Sequence, residues 1–197
     1  LTMQDPDDGG VYHKLTTPNF EGFVMPADCH QPRYVVAKSV TATLDFAGVM
    51  ADAARLFAPC QKDYPDFVTQ ATEAFYRQEQ LKDPSVSTGT YGDGNARDEF
   101  FWASSALYRL TRKAVYLEDA RQYQSQRFST PSWGNVSALG TFEWMADDEL
   151  RATDDGLLMQ TQVLAYCEDA VKEVGTSCFQ SPFGNNPRNF GWGCLAE

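Results

Sequence analysis

The sequence has no basic stripe. Its 16 Lys and Arg residues are scattered along the chain against 27 Asp and Glu, for a net charge of −11. Phosphate backbones and anionic membrane surfaces draw most of their protein affinity from clustered cations, so nucleic acid and anionic membrane are poor partners. A CxxC pair is also missing, as is any His at zinc-finger spacing from the five cysteines, Cys29, Cys60, Cys167, Cys178 and Cys194, which argues against a structural zinc site. The odd count leaves at least one thiol unpaired within the chain, and Cys167, at a helical apolar position, reads as a core residue. Long uncharged apolar runs are absent as well. The most apolar segments, Ser39 to Ala58 and Leu157 to Val174, carry Asp45, Asp52, Arg55, Glu168 and Asp169 at helical spacing, which a bilayer does not tolerate cheaply. No membrane insertion is expected. No leader-like segment follows Leu1, and the compartment is not legible there.

The chain does have the composition of a folded domain: 197 residues, 43% apolar and 22% charged. The ten prolines and fourteen glycines fall mostly between periodic segments and so mark loops. A single domain over residues 1–197, without linkers, is expected.

Apolar spacing gives helices in pairs. "KSVTATLDFAGVMADAARLFAP" puts Val40, Leu44, Ala47, Val49, Met50, Ala53, Ala54, Leu56 and Phe57 on a face broader than one stripe, as for a helix buried on more than one side. Pro59 stops it, and a second helix is expected from Pro65 through Phe75, ending before Pro84. A second pair takes Phe100, Phe101, Ala103, Ala106, Leu107 and Leu110, then Val115, Leu117, Ala120 and Tyr123. The third begins near Asn135 with Val136, Leu139, Phe142, Trp144 and Met145, and continues from about Asp155 through Leu158, Val163, Leu164, Cys167 and Val171. Hairpins recurring every roughly 40 to 50 residues mean an α-array, a solenoid or a closed toroid. Long aromatic and glycine-rich loops at 1–34, 85–96, 125–135 and 176–197 favour a toroid with a cleft at one end.

The segment "TMQDPDDGGVYHKLT" crowds Asp5, Asp7, Asp8, Tyr12 and His13 around a Gly pair. A metal loop, a catalytic centre and a turn are all on offer. It lacks the acid at the twelfth position that an EF-hand requires, and Pro6 with the Gly pair describes a tight surface turn. Asp98 and Glu99, being adjacent, point about 100° apart on a helix and do not face one reacting bond from two sides.

"MQDPDDGGVYHKLT", "MP", "RYV", "SVTATLDFAGVMADAARLF", "TGTYGDGNARDEFFWASSALY" and "FGWG" occur in the order and approximate spacing found in glycoside hydrolase family 9, the cellulase and endoglucanase family, which this chain resembles over nearly its whole length. The resemblance implies an all-α fold in which three or so helical hairpins form part of an (α/α)6 toroid around a sugar cleft. It implies inverting hydrolysis of β-1,4-glucosidic bonds in cellulose or related β-glucans, with β-glucan or cello-oligosaccharide as partner, no required cofactor, and a secreted or periplasmic protein. The family's catalytic base lies in an Asp-Ala-Gly-Asp loop upstream of "MQDP", and its catalytic acid lies beyond "FGWG". Neither phrase is in this sequence, so the chain is expected to supply cleft and subsite residues without either catalytic carboxylate, and to be inactive alone. Such a pair must stand about 6.5–9.5 Å apart to act on a bond and a water together.

The resemblance also nominates residues. His13 matches the family histidine that contacts a glucosyl unit; its other role is a half-buried imidazole bonded to a neighbour. Lys14 reads as a solvated side chain. Trp133, in the loop "PSWGN", matches a tryptophan point and suits stacking on a sugar face, with Tyr91 as a further platform and Trp102 as core. Asp98 and Glu99 sit where two carboxylates favour a helix N-terminus. In many family members the matching pair holds a structural calcium ion with a later Asp. Here that later phrase is Trp133, Gly134, Asn135, so calcium at Asp98, Glu99 and Asn135 would lack one charged ligand. Two other classes stay open: a non-catalytic module binding a glycan or protein, and a relative releasing single glucose or glucosamine units. Three hairpins of a toroid also leave apolar faces uncovered, which predicts self-association or rearranged packing.

Overall fold

The computed structural model describes residues 2–59, 88, 93–177 and 180–182. Among them lie six α-helices: α1 (Val40–Leu56), α2 (Arg97–Thr111), α3 (Ala114–Tyr123), α4 (Ser137–Met145), α5 (Asp148–Arg151) and α6 (Asp154–Thr176). A short ribbon of β1 (Leu15–Thr16) and β2 (Tyr34–Val35) accompanies them. The helical expectation holds, and the helix expected after Pro65 lies outside the described residues. No described helix is long and apolar enough to cross a membrane. The residues form two compact units, 1–96 and 97–197.

In the first unit the ribbon is antiparallel, with Leu15 opposite Val35 and Thr16 opposite Tyr34. Its pairing runs on towards α1: Val36 N donates to Lys14 O at 2.8 Å, and His13 N to Ala37 O at 3.2 Å. The strand then hands over to the helix at Ser39, whose Oγ accepts the Ala42 N–H at 3.2 Å as an N-cap. Thr43 ties the two together, since its Oγ1 donates to Ser39 O at 2.7 Å and accepts the Val11 N–H at 3.0 Å. Val11, Val36, Leu44, Ala47, Ala51 and Ala54 make the core. The buried face of α1 is thus narrower than its apolar spacing suggests, because Val49, Leu56 and Phe57 are exposed. Composition says which faces tolerate burial; the neighbouring surface decides which are covered.

The second unit is built on α2. Phe101, Trp102, Ala103, Ala106, Leu107 and Tyr108 are buried along it. Arg112, in the left-handed region at φ 57°, turns the chain into α3, where Tyr116 and Ala120 are the buried pair and Val115 is exposed. Ala120 is buried as expected, whereas Tyr116 takes the place expected of Val115. Phe100 stacks on Tyr123 with centroids 4.6 Å apart, closing the hairpin.

Helix α4 lies close on α2 because Gly140 has no side chain. A Cβ there would stand 2.6 Å from Phe101 Cδ1. Trp144, fully buried, donates its indole N–H to Ser105 Oγ at 3.0 Å, and Ser105 Oγ donates to Phe101 O at 2.6 Å. Truncating a tryptophan so buried costs about 3–5 kcal/mol. The one-turn α5 was not foreseen from periodicity. Asp147 creates it: its Oδ1 accepts Glu149 N at 3.2 Å and Leu150 N at 3.1 Å, while its Oδ2 takes Arg112 Nη2 at 2.6 Å. Burial pushes the Asp147 carboxyl up, but the Arg112 hydrogen bond, the Leu150 N–H and the charges of Arg112 and Arg109 outweigh it and hold the group below the ordinary carboxylate range. Arg109 also pairs with Glu143 across α2 and α4.

Thr153 caps α6, accepting Gly156 N at 3.1 Å. Only Gly156 and Met159 of this helix are buried, and Leu158, Leu164, Cys167 and Val171 are exposed. Cys167 is therefore not a core residue: the apolar stripe is present, but these side chains stay exposed.

Candidate functional site

The acidic loop resolves into a turn. Gln4 faces Val11 in an isolated antiparallel bridge, Asp5 N donates to Gly10 O and Gly9 N to Asp5 O, each at 2.8 Å. Gly9 adopts φ 74°, which only glycine reaches freely. The carboxylates serve the turn: Asp5 Oδ1 accepts Asp7 N and Asp8 Oδ1 accepts Gly10 N, both at 2.9 Å. Lys38 Nζ then bridges Asp5 and Asp8, and Tyr12 OH donates to Asp5 Oδ2 at 3.0 Å. The Lys38 hydrogen bond, the Asp7 N–H and the Tyr12 hydroxyl lower Asp5 to about 2. Asp8 is lowered too, first by Lys38 and then by the Gly10 N–H. A carboxylate kept ionised with both oxygens engaged is not poised to pass protons near neutral pH.

This turn delivers the next residues. His13 is half-buried, its backbone paired to Ala37 and its Nδ1 lying 2.9 Å from Ser39 Oγ. Lys14 is not the solvated side chain expected. Its Nζ donates to Thr88 O at 3.2 Å and Thr88 Oγ1 at 2.9 Å, and Thr16 Oγ1 meets the same Thr88 hydroxyl at 3.0 Å. Thr88 is buried, so its carbonyl needs a protein donor, and Lys14 supplies one. Tyr91 lies outside the described residues.

In the second unit Trp133 sits at the tip of a four-residue turn. Ser132 N donates to Asn135 O at 2.9 Å and Asn135 N returns to Ser132 O at 3.2 Å, leaving the indole 72% exposed. Trp102 is buried, as expected. Asp98, in the first turn of α2, accepts Val136 N on Oδ2 at 2.7 Å, and Asn135 Oδ1 accepts Ser137 N at 3.0 Å and Ser137 Oγ at 2.7 Å. Glu99 is buried in α2. Asp98 and Asn135 therefore stand close in the chain path, but their oxygens already organise the start of α4. Calcium takes roughly six to eight oxygens, several of them charged. Among the described residues no group of three or more His, Cys, Asp or Glu is placed to hold a metal.

Sequence reasoning missed Ser39, Lys38 and Thr88, which hold the loop through His13, the Asp5 and Asp8 carboxylates and Lys14 respectively. Ser39 alone carried a signal, as the N-cap before an apolar-periodic run. The structure adds an apolar cavity of about 350 Å³ lined by Phe128, Phe142, Val163, Tyr166 and Cys167 among others. A sugar site needs convergent polar groups, and this lining offers few.

Comparison with known proteins gives these features a setting. The sequence matches glycosyl hydrolase family 9 over residues 1–195. It is 48% identical to the xyloglucan-specific endo-beta-1,4-glucanase BoGH9A of Bacteroides ovatus, over 100% of this chain and 37% of that protein. Endoglucanase D of Acetivibrio thermocellus is 30% identical over 98% of this chain and 33% of its own length. Among solved structures, the Bacteroides ovatus GH9 enzyme superposes with a TM-score of 0.87 at 45% identity, covering 100% of this chain and 40% of that one. AaCel9A in complex with cellobiose-like isofagomine gives 0.84 at 27% identity, covering 98% and 38%. The class is thus a glycoside-hydrolase fold of paired helices, part of an (α/α)6 toroid. The chain belongs to glycosyl hydrolase family 9 and spans 37% of its Bacteroides ovatus relative.

Proposed function

We propose that this chain supplies part of the substrate cleft of an endo-β-1,4-glucanase acting by inversion on cellulose or a related β-glucan. His13 hydrogen-bonds a glucosyl hydroxyl, Trp133 stacks on a sugar face, and Tyr91 is a further platform. The observation that carries this is the 48% identity, running through the whole chain, to an enzyme named for xyloglucan. That identity favours a xyloglucan-type β-1,4-glucan over plain cellulose and over single-sugar release. On this reading residues 1–197 are part of a single domain, which the family match over residues 1–195 supports. Secretion or periplasmic placement of the intact protein goes with a polymeric substrate. Exposed Leu157, Leu158, Leu164 and Val171 on α6 support self-association of the chain as it stands.

The test has two arms. Calorimetric titration of the chain with cellohexaose and with a xyloglucan oligosaccharide should show binding that His13→Ala and Trp133→Ala each weaken. The full gene product should release reducing ends from carboxymethyl cellulose and xyloglucan. No binding and no release on any β-1,4-glucan would sink the proposal.

A further inference from the structure

His13 and Ser39 meet through one contact, Nδ1 to Oγ at 2.9 Å. Distance alone permits two arrangements: Nδ1–H donating to the hydroxyl, or the hydroxyl donating to a bare Nδ1. Ser39 decides between them. It is 0% exposed, so its hydroxyl proton has no water to go to. One lone pair of Oγ already receives the Ala42 N–H at 3.2 Å. Its carbonyl is taken by Thr43, through N at 3.1 Å and Oγ1 at 2.7 Å, and its own N–H goes to Val11 O at 3.3 Å. Among the described residues Ser39 Oγ meets only the Ala42 N–H and His13 Nδ1.

If Nδ1–H were the donor, Oγ would receive two protons and its own would be buried without an acceptor, which costs the full desolvation of a donor. If the hydroxyl donates to Nδ1, every polar hydrogen around Ser39 is used. Thr43 reinforces this by clamping the Ser39 carbonyl, so the serine backbone does not turn to offer another acceptor.

We propose that Ser39 is a positioning residue that sets the tautomer of His13: its hydroxyl donates to Nδ1, the ring proton resides on Nε2, and His13 acts as a hydrogen-bond donor through Nε2. Where the proposed sugar contact is made through Nε2, the group it meets is an acceptor oxygen. Only that last step rests on the proposed function.

Long-range ¹H–¹⁵N spectra of the full chain, at about pH 8.5 where an ordinary histidine is neutral, read the tautomer directly. The chain has only two histidines, so His30→Gln assigns His13. Nδ1 should resonate as a bare, pyridine-type nitrogen and Nε2 as a protonated one. Ser39→Thr, which keeps the hydroxyl, should preserve that pattern, and Ser39→Ala should move it towards a mixture. Ser39→Asp keeps an acceptor for the Ala42 N–H but has no proton to give, and should drive the ring proton to Nδ1. A wild-type Nδ1–H tautomer, or unchanged ring nitrogens in Ser39→Ala with its helix content intact, overturns the proposal. The wild-type spectrum decides even where a variant does not fold. Cellohexaose affinity should fall roughly three- to tenfold in Ser39→Ala and return in Ser39→Thr. If His13→Ala leaves that affinity untouched, the sugar contact fails while the tautomer assignment stands on its own spectrum.

Discussion

Lys38 Nζ lies 2.7 Å from Asp5 Oδ2 and 2.6 Å from Asp8 Oδ2, one ammonium holding both arms of the acidic turn. The lysine immediately precedes the α1 cap, so the turn is anchored to the start of a helix. Lys38→Met removes the counter-charge but keeps the stem over the Tyr12 ring, where the ammonium now sits 5.3 Å from the centroid. Carboxyl-detected NMR titration should then find Asp5 risen from about 2 towards the ordinary value. The pH dependence has a fixed sign. Asp5 titrates near about 3.9 when unfolded, so its pairing stabilises fully above that and fades as pH falls towards about 2. The urea-unfolding gap between wild type and Lys38→Met should be whole at neutral pH and close on acidification; a gap indifferent to pH would show that the pairing is not what stabilises the turn.

Gly140→Ala should destabilise the second unit. The added Cβ would meet the Phe101 ring at 2.6 Å, and Phe101 is fully buried and has nowhere to swing. Overpacking costs about 1–3 kcal/mol, against about 1 kcal/mol gained in helix propensity. A lower melting temperature, partly restored in Gly140→Ala with Phe101→Leu, is the expected pattern; simple additivity would mean the clash is not the cause.

Asp147→Ala should cost about 2–4 kcal/mol, the sum of an N-cap and a charge-assisted hydrogen bond. Both depend on one buried carboxylate, which caps α5 and holds Arg112. Asp147→Asn keeps an acceptor for the cap and should fall between the two. Denaturant midpoints at constant slope would measure this.

Trp133→Ala should leave stability within about 0.5 kcal/mol, as an exposed side chain away from the core. Oligosaccharide affinity should drop roughly three- to tenfold, the range of aromatic stacking. A large fall in melting temperature would assign the indole to packing instead.

The helices were legible because apolar spacing and stop signals survive in any context: α1, α2, α3 and the start of α6 lie where Pro59, the break after Leu110 and Asp155 put them. Burial was less legible. Leu164 and Val171 have the spacing of core residues but are exposed, since a stripe reveals affinity for a partner and not the partner's presence. His13 and Trp133 were visible through motif resemblance, whereas Ser39, Lys38 and Thr88 act through contacts 26, 30 and 74 positions away in sequence. No local pattern encodes such a distance. Asp147 escaped notice for a different reason: a four-residue helix is too short to show a period.

The paired hydrogen bonds between Ser132 and Asn135 carry a thermodynamic consequence. A platform on a slack loop spends part of its contact energy on immobilising that loop. Here the backbone beneath Trp133 is ordered before any ligand arrives, so a ring landing on the indole has only the side-chain rotors to still. Loosening the turn, as Asn135→Gly would, should therefore show up in the entropy of binding before it shows in the enthalpy.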